Sequence, residues 1–301
     1  MKNVAVFILL GQSNASGHDL PMRPEDIFHR PLKNVFGLSR QLNQSFETSE
    51  LQWSGYESRN MNLGSPKDDT YSLANCLALK WQQAIDYGVS LPDLYIVHIS
   101  IGAQGVTEGY MWNPQYPTIL HTAELDDGSV DISLFSFSKH IFSLLDSSFK
   151  KIEQNPIYLG IHWLGGENDF SMLTDDLFGL LKSTYTDIFH GFIDALGMPI
   201  PIYLHTICCD KRCGICEREH FGSKSYGRFL KNLHTINRVF YALAEENDHI
   251  TVFETETYPQ YDASRADKNL FLSDYVHYRK DVNLWLADVV LGEARQKYTR
   301  S

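Results

Sequence analysis

The sequence predicts an α/β protein, a three-layer α/β/α sandwich around a central, mainly parallel sheet. Three observations lead there. Short apolar runs alternate along the chain with longer stretches in which apolar residues recur every third or fourth position. The short runs are apolar almost throughout, as strands covered on both faces should be. The composition, 43% hydrophobic and 21% charged over 301 residues, is that of a globular chain large enough to build a core without staples.

The first run, residues 4–10, follows Lys2 almost at once. A charged residue, a short apolar run and then Asn14-Ala15-Ser16 also resemble an export signal with a cleavage zone. The run is short for that purpose, and cleavage would remove Ser13, so the buried strand is the preferred reading. A short second strand is expected at 34–38. Residues 18–70 otherwise show little period and carry Pro, Gly, Asn and charge. They read as a loop-rich insertion over one end of the sheet.

Beyond it, Leu73, Leu77, Trp81 and Ile85 mark a helix, and residues 94–100 a strand. Ile141, Leu144, Leu145, Phe149 and Ile152 form a second helical stripe. Strands at 157–164, 200–206 and 250–253 then alternate with helices at 177–196, 221–243 and 282–291. Crossovers between parallel strands should be right-handed. No repeat or linker interrupts the chain, so residues 1–301 are expected to form a single domain.

The net charge is -11 and no Lys/Arg-rich run occurs, which argues against nucleic acid as a partner. No apolar stretch approaches the roughly 20 residues of a membrane span. The five cysteines are an odd number, against a disulfide framework. Cys208, Cys209, Cys213 and Cys216 crowd together, and Cys213 and Cys216 have the spacing of a zinc-ligand pair. Zinc sites usually separate two such pairs by a longer loop. Free thiols in a reducing, cytoplasmic setting are the preferred reading, and no metal is assigned. His98, His162 and His205 lie on successive strands and read as core groups rather than ligands. Asn14 and Asn43 match the N-x-S pattern by chance.

Ligands of open parallel sheets bind beyond the carboxyl ends of the strands. After the first strand stands Gly11-Gln12-Ser13-Asn14. After the strand at 94–100 comes IGAQGVTEGYMW, residues 101–112. The strand at 157–164 runs into Gly165-Gly166-Glu167-Asn168-Asp169. Asp274-Tyr275-Val276-His277 precedes the last helix. These are the parts of an acyl-transfer site. A serine hydroxyl needs a base to take its proton, and histidine suits that role near neutral pH. An acid must hold the second imidazole nitrogen, and three residues can place Asp274 and His277 on one face of a turn. Backbone N–H groups at Ser13 and a glycine, with the Asn168 amide, suit an oxyanion. Taken singly, Ser13 also reads as a helix cap, Asn168 as a loop residue, Asp274 as another cap and His277 as a surface group.

Together the blocks resemble the SGNH hydrolase superfamily, whose fold is flavodoxin-like. Gly-Gln-Ser-Asn is similar to the signature of its sialate O-acetylesterase-like and acetylxylan-esterase members. Gly105-Val106-Thr107 with Trp112 is similar to a second block, with Val106 in place of a glycine. Trp163 and Gly166-Glu167-Asn168-Asp169 are similar to a third, with Gly165 where a glutamine is usual. The resemblance implies Ser13 as nucleophile, His277 as base and Asp274 as its orienting acid. It implies an oxyanion hole from Ser13, Gly105 and Asn168. Gln12, Trp112, Trp163 and Tyr275 are expected to bind substrate, the two tryptophans walling a slot sized for acetyl. The expected activity is removal of a short acyl group, most simply acetyl, from a carbohydrate or related hydroxyl, with no cofactor. A lipase-like esterase, an acyltransferase and an inactive carbohydrate-binding module remain the rival readings.

Overall fold

The computed structural model describes residues 1–18, 20–21, 26, 30–38, 50–58, 61–64, 70–125, 128–208, 223–262, 265, 270–272 and 276–299. Its strands are β1 (Lys2–Gly11), β2 (Val35–Leu38), β3 (Trp53–Gly55), β4 (Leu94–Ser100), β5 (His121–Leu125), β6 (Gly128–Ile132), β7 (Gln154–Leu164), β8 (Ile202–His205) and β9 (Ile250–Phe253). Among the described residues they form a seven-stranded sheet, ordered β3-β2-β4-β1-β7-β8-β9, and a β5-β6 hairpin. Only β3 runs antiparallel in the large sheet. The helices are α1 (Ser13–Ser16), α2 (Leu73–Asp86), α3 (Leu134–Lys151), α4 (Leu177–Leu196), α5 (Ser223–Glu246) and α6 (Lys280–Thr299).

The run expected as a buried strand is β1, at the centre of the sheet, with Val4 to Leu10 all fully buried. Its side chains alternate between two cores. Val6, Ile8 and Leu10 pack with Ile141 and Leu145 of α3, Ile188 of α4 and Ile236 of α5. Ala5, Phe7 and Leu9 pack with Leu77 and Trp81 of α2 and Leu286 and Val290 of α6. Strand alternation thus feeds two helix layers, which is why the run is apolar at every position. Each fully buried large aliphatic side chain contributes about 1.5–3 kcal/mol.

Local signals set the helix ends. Ser72 and Asn75 close a reciprocal cap on α2, and Ser133 and Ser136 do so on α3. Asp176 caps α4, and Gly197 ends it in the left-handed region.

The departures from the sequence reading are local. β7 begins at Gln154 and takes in Pro156, which pairs with Val4 of β1. On its other edge β8 reaches only Ile161 to Trp163, so Pro156 stands where β7 has a single neighbouring strand. The insertion holds β3 as well as β2. Three residues are too few to show a period, and Trp53 is fixed by tertiary packing on Tyr95 and Phe149. The β5-β6 hairpin is a further addition, closed by the pairing of Leu125 with Gly128.

The strand histidines are core groups. His162 Nδ1 lies 3.0 Å from His205 Nε2, one ring donating to the other. His98 Nε2 meets Ser100 Oγ at 2.9 Å. Burial holds His98 and His162 down to about 3 and, with the neighbouring His162, keeps His205 well below the usual histidine range. Unfolded, these rings protonate near about pH 6.5, so below that the unfolded chain binds more protons. Stability present above pH 6.5 is therefore lost on acidification, by about 1.4 kcal/mol per histidine per pH unit. The urea midpoint should fall steeply between about pH 7 and about pH 5. A His162→Leu/His205→Leu double variant should show a shallower fall. Equal slopes for the two proteins would contradict this origin of acid sensitivity.

Candidate active site

A cavity of about 460 Å³ opens where the carboxyl ends of β1, β4 and β7 meet. From β1 the chain crosses to β4 on one side and later to β7 on the other, so the loops diverge around a crevice. Gln12, Ser13, Gly102, Asn168 and His277 all line it. Ser13, Asn168 and His277, far apart in sequence, thus share one cavity. Asp274 and Tyr275 lie outside the described residues.

Gly11 sets the position of Ser13. It pairs with Leu164 at the last rung of β1 and β7, at φ 142°. A Cβ there would stand 1.9 Å from the Leu164 carbonyl oxygen. Gln12 N–H donates to that same oxygen at 2.9 Å. The chain then turns into α1, and the Ser13 carbonyl accepts from Gly17 and His18. Ser13 N–H, as the first of the helix, has no intrahelical acceptor. One turn sums few peptide dipoles, so any help to an oxyanion comes from that N–H itself rather than from a long helix.

His277 stands across the cavity. Its carbonyl accepts from Leu272 N–H at 2.7 Å. The His18 ring lies 4.6 Å from the His277 ring, tilted by 55°, and lines the same cavity. The sequence reading missed His18. Its signal was a second histidine just beyond the serine turn, indistinguishable there from a loop residue.

The third block forms a short 3-10 turn, Glu167–Ser171. Asn168 Nδ2 donates to Gln12 Oε1 at 2.7 Å, which fixes the amide's orientation at the cavity wall. Gly165 leaves no side chain where the related pattern has a glutamine, and an added Cβ there would lie 3.4 Å from Gly11 Cα and 3.6 Å from Gln12 N. Asp169 is fully buried and accepts from Val106 N–H, Thr107 N–H and Thr107 Oγ1, the last at 2.7 Å. Burial raises its carboxyl, and the Thr107 and Val106 hydrogen bonds oppose that rise. Glu167 reaches the cavity, and Asn14 Nδ2 donates to its Oε1 at 2.9 Å. Burial raises Glu167 too, against the Asn14 hydrogen bond and the nearby His277. The sequence placed Glu167 in a block but could not show a buried carboxyl beside the histidine.

Three expectations are corrected. Gly105 does not line the cavity: it is buried against Asp169 and Tyr110. Gly102 takes that place, where an added Cβ would lie 3.6 Å from Ser13 Cβ. Trp112 and Trp163 do not wall the site either. Both are buried, with ring centroids 5.0 Å apart and packed on Phe192, Tyr185 and Phe189. Trp112 Nε1 donates to the Gly11 carbonyl at 3.1 Å, so the pair supports the floor from below. Their bulk is spent on the core, and Ile101, Ala103, Phe170 and Val276 supply the apolar lining.

Among the described residues, no group of three or more His, Cys, Asp or Glu side chains is placed to hold a metal ion. Cys208 is buried with its Sγ 3.7 Å from Tyr261 Oη. Cys209, Cys213 and Cys216 lie outside the described residues. Asn14 is buried, which suits no glycan, and Asn43 is not described. No helix among the described residues is long and apolar enough to cross a membrane. A serine, an imidazole and an oriented amide facing one cavity have the chemistry for acyl transfer.

No model of a known protein family matches the chain, and no curated protein matches it. Solved structures do. NanS is 14% identical, with a TM-score of 0.58 over 99% of this chain and 98% of that one. A protein from Arabidopsis thaliana is also 14% identical, with a TM-score of 0.58 over 96% and 97%. Est24, a carbohydrate acetylesterase from Sinorhizobium meliloti, is 9% identical, with a TM-score of 0.46 over 96% and 99%. At such identities the likeness to NanS and the plant protein is one of fold, and it agrees with the three-layer architecture.

The ties of Asp169 to the loop after β4 generate a prediction. Asp169→Ala would leave the Val106 and Thr107 donors buried and unpaired, at about 1–3 kcal/mol each. The urea midpoint should drop accordingly, and hydrogen exchange should quicken first at Val106 and Thr107. Unchanged protection of both amides would contradict the assigned role.

Proposed function

We propose that the protein is a serine esterase of the SGNH type that removes a short acyl group, acetyl in the main reading, from a carbohydrate or related hydroxyl. The observation that carries the proposal is the meeting of Ser13, Asn168 and His277, from separate ends of the chain, on one cavity. Ser13 Oγ attacks the ester carbonyl while His277 takes its proton and then gives it to the leaving hydroxyl. In this scheme Asp274, three residues before His277, orients the imidazole. The oxyanion lies among Ser13 N–H, the Gly102 backbone and the Asn168 amide. Water, deprotonated by His277, then releases the acid from the acyl-enzyme. The resemblance of the Gly-Gln-Ser-Asn block to sialate O-acetylesterase-like and acetylxylan-esterase sequences supports acetyl as the group and a sugar as its carrier.

One observation favours a second reading. With Trp112 and Trp163 below the floor, nothing described closes the cavity to the size of an acetyl methyl. Its lining of Ile101, Ala103, Phe170 and Val276 suits a longer chain, as in a lipase-like esterase. Each additional buried methylene would contribute about 0.8 kcal/mol to binding. An acyl-length series with one leaving group separates the two. The main reading expects kcat/KM to fall from acetyl to butyryl to octanoyl, and a maximum at octanoyl would replace it with the second.

The mechanism has its own test. Ser13→Ala should lower kcat by about 10⁴-fold or more on whichever ester is turned over, with folding intact. A folded Ser13→Ala protein with near-normal turnover would remove Ser13 as the nucleophile.

A further inference from the structure

The side chain of Asn14, next to the nucleophile, faces away from the cavity and is fully engaged. Its Oδ1 accepts from Tyr278 N–H at 2.9 Å. Its Nδ2 donates to the Val276 carbonyl at 3.3 Å and to Glu167 Oε1 at 2.9 Å. Val276 and Tyr278 flank His277 on either side. One amide therefore grips the main chain before and after the proposed base, from a residue covalently joined to the proposed nucleophile. An amide has a donor end and an acceptor end, and this grip needs both in one orientation. Glu167 Oε1 reinforces the orientation that the Val276 carbonyl and the Tyr278 N–H already require. Only the Nδ2 end can face its carboxylate, so the Oδ1 end must face Tyr278. Glu167 Oε2 is buried without a partner among the described residues. Burying that second oxygen unpaired is costly, so the Oε1 contact to Asn14 is made against a penalty.

We propose that Asn14 and Glu167 form a positioning pair that sets the register of His277 against Ser13. The proposal rests on the esterase reading. Asn14 does not line the cavity, whereas Glu167 does, so substitutions at position 14 report on the rate of the chemical step rather than on substrate binding. The loop carrying His277 has further ties, from Leu272 N–H to the His277 carbonyl and from Arg279 N–H to Leu270. These anchor it to its own hairpin-like bridge, not to the serine turn. Asn14 joins the serine turn by hydrogen bonds to both neighbours of His277.

The experiment compares Asn14→Asp, Glu167→Gln and their double variant on the ester that wild type turns over, with Ser13→Ala as control. Asn14→Asp keeps the acceptor for Tyr278 but sets two carboxylates against each other. Its kcat should fall by about 10²-fold at alkaline pH, the scale of a small misplacement of reacting groups, with KM little changed. Two adjacent carboxylates share a proton as pH falls, so the ratio of Asn14→Asp to wild-type kcat should rise on acidification. In the double variant the amide introduced at position 167 donates to the carboxylate introduced at position 14, which relieves the repulsion and keeps the Tyr278 contact but not the donor to Val276, so kcat at alkaline pH should rise above that of Asn14→Asp without reaching wild type. A folded Asn14→Asp protein with wild-type kcat across the pH range overturns the pair, as does a double variant no faster than Asn14→Asp. If Asn14→Asp does not fold, Glu167→Gln against Glu167→Leu decides. The glutamine keeps an oxygen for Asn14 and should be at least about tenfold faster, while equal rates overturn the proposal. If Ser13→Ala retains turnover, the esterase reading itself fails and the pair falls with it. If Ser13→Ala is inactive and the Asn14 series is flat, only the pair fails.

Discussion

The close approach of β1 and β7 at their last rung is the constraint on which the rest of the site depends. Only a glycine fits at position 11, because a Cβ would fall inside the Leu164 carbonyl. The two strands therefore end together, and the segments leaving them run side by side. Gln12 meets Asn168, and Asn14 meets Glu167, as consequences of that shared exit. A side chain at position 11 would part the strands and with them every one of these pairs.

Around this junction, buried polar groups tie the remaining loops to the sheet. Asn62 accepts from Ser100 N–H and Gly64 N–H and donates to the Ser100 carbonyl, so it fastens part of the insertion to the end of β4. Ser16 Oγ bonds Ser100 Oγ, which also meets His98. Asp169 fastens the loop after β4 to the turn after β7. Each polar atom taken from water here is costly unless paired, so the network tolerates few other arrangements. Its effect is to make three loops behave as extensions of the sheet.

Beneath the loops, the aromatic cluster of Trp112, Trp163, Tyr185, Phe189 and Phe192 fills the space between the sheet and α4. The tryptophans turn their indole N–H groups to backbone carbonyls at Gly11 and Gly165. Large rings with satisfied N–H groups make a rigid floor. The cavity above is correspondingly shaped by smaller residues, Gly102 and Ala103, and by Phe170 and Val276 at its rim.

The sequence by itself determined the layers and the strand ends. Residues 4–10 are apolar at every position because both faces of β1 are covered, and the helical stripes at 73–85 and 177–196 state which face each helix buries. Periodicity is local and survives in one dimension. The sequence also marked Ser13, Asn168 and His277 as candidates, because ligands of a parallel sheet gather beyond its strand ends. Tertiary structure decided what those patterns leave undirected. A sequence cannot say which way a large side chain turns at a loop, or whether one at a strand end meets core or cavity, so Trp112 and Trp163 read as walls and fold as floor. It cannot weigh Gly102 against Gly105, since both follow the same strand and only packing against Asp169 removes the second from the cavity. It cannot show that Asn14 reaches both neighbours of His277, because hydrogen bonds between residues 262 and 264 positions apart exist only once the chain has closed on itself.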